Sequence, residues 1–370
     1  MKAKSARTAL HHNLGGKGET STASVSRRQF GRGRRHGLVG AAPASAANTI
    51  VVRPGQSIQA AVFRAHPGDT VLIKPGTYRE SVYVAVDRLT IRGSGAAGNG
   101  TVLEPGRPSR SNPCSQQGGN GFCVIGTGSN PTSGVRITAL LVQNYGGNGI
   151  IGFHSDGLVV DDVTAKNNGS YGIARFASSG GALIKNKASG SGEAGLYIGD
   201  SPHANVVVEG NDVRNNCIGI FQRHARDTFM AYNTANGNAV GVLVLDDGQA
   251  GGAGNAYLKY NTVANNNTVC AANPEHPTFQ GGGIVLLGAT HSFLAQNSVL
   301  GNRGSTAISG GIVLLTAKNF TGGANATDNT IRNNTAFRNS PADIVDQSGG
   351  RNDIGRNFCH TSMPRGYCHN

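Results

Sequence analysis

The chain has 370 residues, 56 of them glycine and none tryptophan, and a formal charge of +13. The first 46 residues carry nine Lys/Arg and one acidic residue, which leaves 24 basic against 19 acidic residues in the remainder. That remainder is too mildly basic to argue for a nucleic-acid partner, and no apolar run reaches the length of a membrane span.

The leader comes first. Ser26-Arg27-Arg28-Gln29-Phe30 resembles a twin-arginine export signal. Ala44-Ser45-Ala46 has the small residues of a cleavage site, so Ala47 is the expected first mature residue. The predicted organisation is therefore a leader over 1–46 and one domain over 47–370, secreted and monomeric.

Residues 48–53 form a short β segment. Ser57 can cap a helix running to about Ala65, with Ile58, Ala61, Val62 and Ala65 on one face. Such a helix would plug the open end of a stacked coil. Further β segments follow at Val71-Leu72-Ile73, Val82-Tyr83-Val84 and Leu89-Thr90-Ile91. The wording SIQAAV, PGDTVLIKPGTYRESV and LTIRG over roughly 49–92 resembles the opening of the pectin-lyase-like superfamily, which includes pectin methylesterases, lyases and related binding proteins. The resemblance implies a right-handed parallel β-helix and a polysaccharide partner, but it transfers no catalytic residue. Residues 104–134, rich in Gly, Ser, Asn and Pro, are expected to be a loop excursion.

From residue 135 a repeat takes over. Asn-x-[Val/Ala]-x-x-Asn occurs at Asn211–Asn216, Asn233–Asn238, Asn261–Asn266, Asn297–Asn302 and Asn334–Asn339. A Gly-aliphatic step recurs at Gly149, Gly172, Gly195, Gly219 and Gly241, at intervals of 23, 23, 24 and 22 residues. A period in the low twenties with short β segments marks a solenoid. The aliphatics after each glycine, from Ile150 to Ile312, are expected to stack inward. The asparagines are expected to bond the rungs above and below. Loops are predicted at Gly248–Ala256, Asn267–Gly281 and Thr316–Thr327.

The six cysteines fit an oxidising compartment. Cys114 with Cys123 and Cys359 with Cys368 are local pairs. Cys217 and Cys270 fall two rungs, or about 10 Å, apart, too far to bridge unless the loop around Cys270 folds back.

One column concentrates polar groups. Five residues past successive glycines stand His154, Ala177, Asp200, His224 and Asp246. Asp200, His224 and Asp246 form the candidate acid–base set, since carboxylates one or two rungs apart suit work on a glycosidic bond. Arg175, Arg223 and Asp247 are candidate substrate-binding residues, an arginine being able to grip a uronate carboxylate. Tyr197 and Phe221 are expected to stack on sugars. Alternatively, Asp200, Asp246 and Asp247 supply oxygens for Ca²⁺; no other cofactor or metal is implied. Charged residues at solenoid bends also occur as simple solvated turns. Family motifs match only in part. Polygalacturonases carry Asp-Asp before His-Gly and Arg-x-Lys, whereas Asp246-Asp247 follows His224 here. Mannuronan C5-epimerases carry Asp-Pro-His-Asp, whereas this chain has Asp200-Ser201-Pro202-His203 followed by Ala204. The expectation is a secreted polysaccharide lyase, hydrolase or epimerase, with a non-catalytic glycan- or protein-binding protein as the alternative.

Overall fold

The computed structural model describes residues 47–116 and 119–369. The export signal and its cleavage site lie outside these residues. The coil is built from Ala47–Ala271 and Thr278–Asn370. Apart from it, Ala272–Pro277 closes on itself, Asn273 accepting from the backbone N–H of Glu275 and His276 at 2.8 and 3.0 Å.

Each full rung contributes strands to two parallel sheets. The eleven-stranded sheet stacks Val82–Val84, Phe122–Ile125, Ile150–Phe153, Ile173–Phe176, Ala194–Ser201, Ile218–Ala225, Val240–Leu245, Gly282–Leu287, Gly310–Leu315, Ile344–Gln347 and Ser362–Met363. Twenty-one further strands pair into a second large sheet, and four short ones form two two-stranded sheets. Phe122–Ile125 corrects the expectation that all of 104–134 is loop: its register with Ile150–Phe153 makes it a rung, because Phe122 and Val124 bury into the core.

The glycine register holds. Ile150, Ile173, Leu196, Ile220, Val242, Ile284 and Ile312 are paired strand to strand and all lie in one core. Alternation along each strand sends one column inward and the next outward. The inward columns bury apolar area at every rung, so the core lengthens with the coil.

Asparagine amides run along the coil in two ladders. In the first, the Nδ2 of Asn211 donates to Asn233 Oδ1 at 2.9 Å, Asn233 to Asn261, Asn261 to Asn297 and Asn297 to Asn334. In the second, Asn216, Asn238, Asn266, Asn302 and Asn339 do the same. Each ladder carboxamide also accepts a backbone N–H from the preceding rung, as Asn261 does from Asn233. The left-handed backbone is taken by the residue before the ladder asparagine, as at Gly210 (φ 64°), Asn215 (φ 54°) and Asn265 (φ 51°).

The first rung is plugged by the helix Ile58–Arg64, capped by Ser57. Ile58, Ala61, Val62 and Ala65 are buried, as expected from their spacing. The Glu80 carboxylate accepts from the backbone N–H of Ile58 and Gln59 at 2.6 and 3.0 Å, tying the helix start to the coil. Disulfides join Cys114 to Cys123 and Cys359 to Cys368 as expected. Cys217 also bonds to Cys270. Val269–Cys270 and Phe279–Gln280 pair antiparallel, and this hairpin sets Cys270 against Cys217. No helix among the described residues is long and apolar enough to cross a membrane.

Candidate functional site

The site lies where Ala194–Ser201, Ile218–Ala225 and Val240–Leu245 leave the eleven-stranded sheet. Leu196 pairs with Ile220 and Gly199 with Arg223, and Arg223 with Leu245. Asp200, His224 and Asp246 therefore occupy one column, as the glycine count predicts. Asp200 (φ 50°) and His224 (φ 47°) take left-handed backbone, which turns their side chains out of the strand alternation.

His224 Nδ1 lies 3.2 Å from Asp200 Oδ1, and its Nε2 lies 2.7 Å from the Ala250 carbonyl oxygen. Both ring nitrogens face acceptors, so the ring is held in one orientation. Asp246 does not join this pair. Its Oδ1 accepts from Gly248 N–H at 2.9 Å and its Oδ2 from Ala324 N–H at 2.8 Å. Its backbone carbonyl accepts from the Thr321 hydroxyl. The expected acid–base trio thus resolves into an Asp200–His224 pair and a buried Asp246 that fastens two loops.

Arg223 points outward and donates from Nε to Asp247 Oδ2 at 3.1 Å. Gln249 Nε2 donates to the same oxygen. Burial pulls the Arg223 guanidinium down, but Tyr197, Asp247 and Tyr171 outweigh it and hold the group above the ordinary arginine range. Side-chain exposures are 20% for Arg223 and 26% for Asp200, against 8% for His224 and 5% for Asp247. Arg223 and Asp200 are therefore the members of these two pairs that most reach solvent.

Three expectations are corrected. Arg175 stands opposite Ile198, which belongs to the inner core. It points into the coil, is 1% exposed, and cannot orient a substrate outside. Burial lowers its guanidinium to about 10, with Asp156 opposing the shift. Tyr197 and Phe221 do face outward, but both are buried in a second apolar cluster on the outer face of this sheet. Tyr197 stacks on Tyr171 at 4.4 Å and packs near Phe176 and Phe221 at 4.7 and 5.3 Å. The Tyr197 ring lies across Gly199, where a Cβ would stand 2.2 Å from the hydroxyl and push the ring aside. The rings thus form a platform beneath the site.

The Ca²⁺ alternative does not fit. Asp200 is engaged by His224, Asp246 by two amides, and Asp247 by Arg223 and Gln249. Among the described residues these carboxylates do not converge on one point.

Sequence spacing misses Tyr171 and Phe176. Tyr171 falls one residue before a repeat glycine and Phe176 four after it, both outward positions. It also misses Ala250, since a backbone carbonyl leaves no mark in sequence.

A family model described as "Right handed beta helix region" matches residues 77–249 and 148–320. The chain belongs to this right-handed β-helix family. No curated protein sequence matches this chain. Among solved structures, it is similar to an alginate lyase from Paenibacillus sp. str. FPU-7, with a TM-score of 0.57 and 16% identity over 84% of this chain and 99% of that one. It is also similar to the Azotobacter vinelandii mannuronan C-5 epimerase AlgE4 A-module, with a TM-score of 0.54 and 14% identity over 82% and 92%. A third, Geobacillus virus E2 ORF18, has a TM-score of 0.55 and 10% identity over 80% and 54%. At these identities the likeness is one of fold.

Proposed function

We propose that the Arg223–His224 step binds an acidic polysaccharide, and that the protein is a lyase or epimerase of uronate-containing chains. The observation that carries this is an outward arginine, fixed by Asp247, directly beside a histidine–aspartate pair. A guanidinium placed on a uronate carboxylate would stabilise negative charge as the neighbouring C–H proton leaves. The Asp200–His224 pair is the proton-handling group nearest that position. In elimination, the C–H electron pair forms the new C=C bond, the C–O bond to the next sugar breaks, and the departing oxygen takes a proton. In epimerisation, the proton returns from the opposite face.

Hydrolysis by two carboxylates has less support, because Asp246 and Asp247 are both occupied. Two solved structures of this fold carry the names of an alginate lyase and a mannuronan epimerase, and the proposal takes the same class of substrate. A second reading, glycan binding without turnover, is favoured by the burial of His224 under Ala250. For turnover, the loop that carries Ala250 has to yield to substrate.

The three disulfides support an oxidising compartment, and the leader over 1–46 is proposed as its export signal. The test is incubation of the protein with alginate, polygalacturonate and a neutral galactomannan, with and without Ca²⁺. Unsaturated ends or altered uronate stereochemistry in the acidic polymers are expected. Retention of those polymers with no product would select the binding reading, and neither binding nor product would remove both.

A further inference from the structure

The outer face of the twenty-one-stranded sheet carries a feature that the site above does not use. Phe229 pairs in register with Tyr257, and Tyr257 with Phe293. Three residues further along the first two of these rungs stand Tyr232 and Tyr260, their rings stacked at 5.1 Å and 9° apart. Phe229, Tyr232, Tyr257 and Tyr260 are 41–58% exposed. Isolated exposed apolar residues need no explanation, but a contiguous aromatic patch marks a binding surface.

Tyr232 (φ 56°) and Tyr260 (φ 57°) hold left-handed backbone, which bulky side chains avoid. Other rungs make this bend with Lys185, Gly210, Gln296, Asn333 and Arg356, none of them aromatic. Strained backbone of this kind concentrates at functional positions. Two aromatics on successive rungs, stacked on each other with their rings turned to solvent, point to use rather than to packing.

The charge of the patch says what it takes. Lys259 ends the strand Ala256–Lys259, between Tyr257 and the bend at Tyr260, its ammonium 5.1 Å from the centre of the Phe293 ring. Among the described residues it has no carboxylate ion-pair partner. Flat rings in register along the coil match the apolar faces of successive sugars, and a lone cation among them matches a carboxylated chain.

We infer that this face is a second polysaccharide-holding surface, on which an acidic glycan lies along the coil axis, separate from the Arg223 site. It shares the substrate class proposed above but not the residues. The experiment measures affinity of the full chain for polygalacturonate and alginate, with neutral galactomannan as control. It compares wild type with Tyr232→Gly/Tyr260→Gly, Lys259→Gln and Arg223→Ala. The double glycine variant relieves backbone strain, so its melting temperature is expected not to fall, while affinity for the acidic polymers drops at least tenfold. Lys259→Gln is expected to weaken acidic polymers alone. Tyr257→Thr keeps strand propensity and serves if the double variant does not fold. The tyrosine substitutions are also made in the Arg223→Ala background, which removes the other site; there the acidic-polymer affinity that remains is expected to drop at least tenfold, and this separates failure here from failure of that site. Unchanged affinity in the tyrosine variants would overturn the inference. So would equal retention of the neutral polymer, or a self-association that the tyrosine variants abolish.

Discussion

Arg175 and Arg223 differ by one step of register, and that step decides what each can do. Arg175 is three residues past its repeat glycine and faces inward; Arg223 is four past and faces outward. Arg175 leaves Nε and Nη1 without hydrogen-bond partners inside the coil, with only Nη2 reaching the Ser179 carbonyl. A buried, half-satisfied cation is costly. Arg175→Met is therefore expected to stabilise the fold by about 1–3 kcal/mol and leave glycan binding unchanged, as read by denaturant melts and polymer retention. Asp246 belongs at the same scale. Asp246→Ala frees two backbone N–H groups and should cost about 1–3 kcal/mol. Any loss of activity should then follow the fraction unfolded and the disorder of its two loops, which hydrogen exchange at Gly248 and Ala324 would show.

Among the elements, the asparagine ladders and the N-terminal plug carry separate loads. Asn261 accepts from the Asn233 backbone and side chain and donates to Met230 O and Asn297 Oδ1. Asn261→Ala should cost roughly 2–4 kcal/mol in a chemical melt, and more than Asn352→Ala near the coil's end. At the plug, Asp69 accepts from the N–H of His66 and Asn48 at 2.9 and 2.8 Å. Those two bonds hold its carboxyl below the ordinary value of 3.8, against the opposing effect of burial. A depressed folded pKa gives stability that is full above the unfolded value and is lost as pH falls through the folded one. The difference in melting temperature between wild type and Asp69→Asn should therefore be constant above about pH 5 and shrink below pH 4. The ladders and the helix were legible in the sequence because each follows from spacing alone. The Cys217–Cys270 bond was not, since it depends on a hairpin closing a loop whose path no periodicity sets.

For the whole molecule, the coil turns a linear repeat into columns, so counting from a glycine places Asp200, His224 and Asp246 together without coordinates. What the count cannot supply is cover. Loops and a second apolar cluster lie over the outer face, and they bury Tyr197, Phe221 and Asp246, which the sequence alone presents as open. The reverse holds for Tyr232 and Tyr260. Their spacing is plain in the sequence, but only the fold shows them bare. The most direct test compares wild type, Arg223→Ala and His224→Ala on polygalacturonate and alginate, following product and melting temperature together. Both variants are expected to lose at least a hundredfold in turnover on whichever polymer wild type converts, with Arg223→Ala keeping the wild-type melting temperature. Full turnover in Arg223→Ala would contradict the assignment of function to this step.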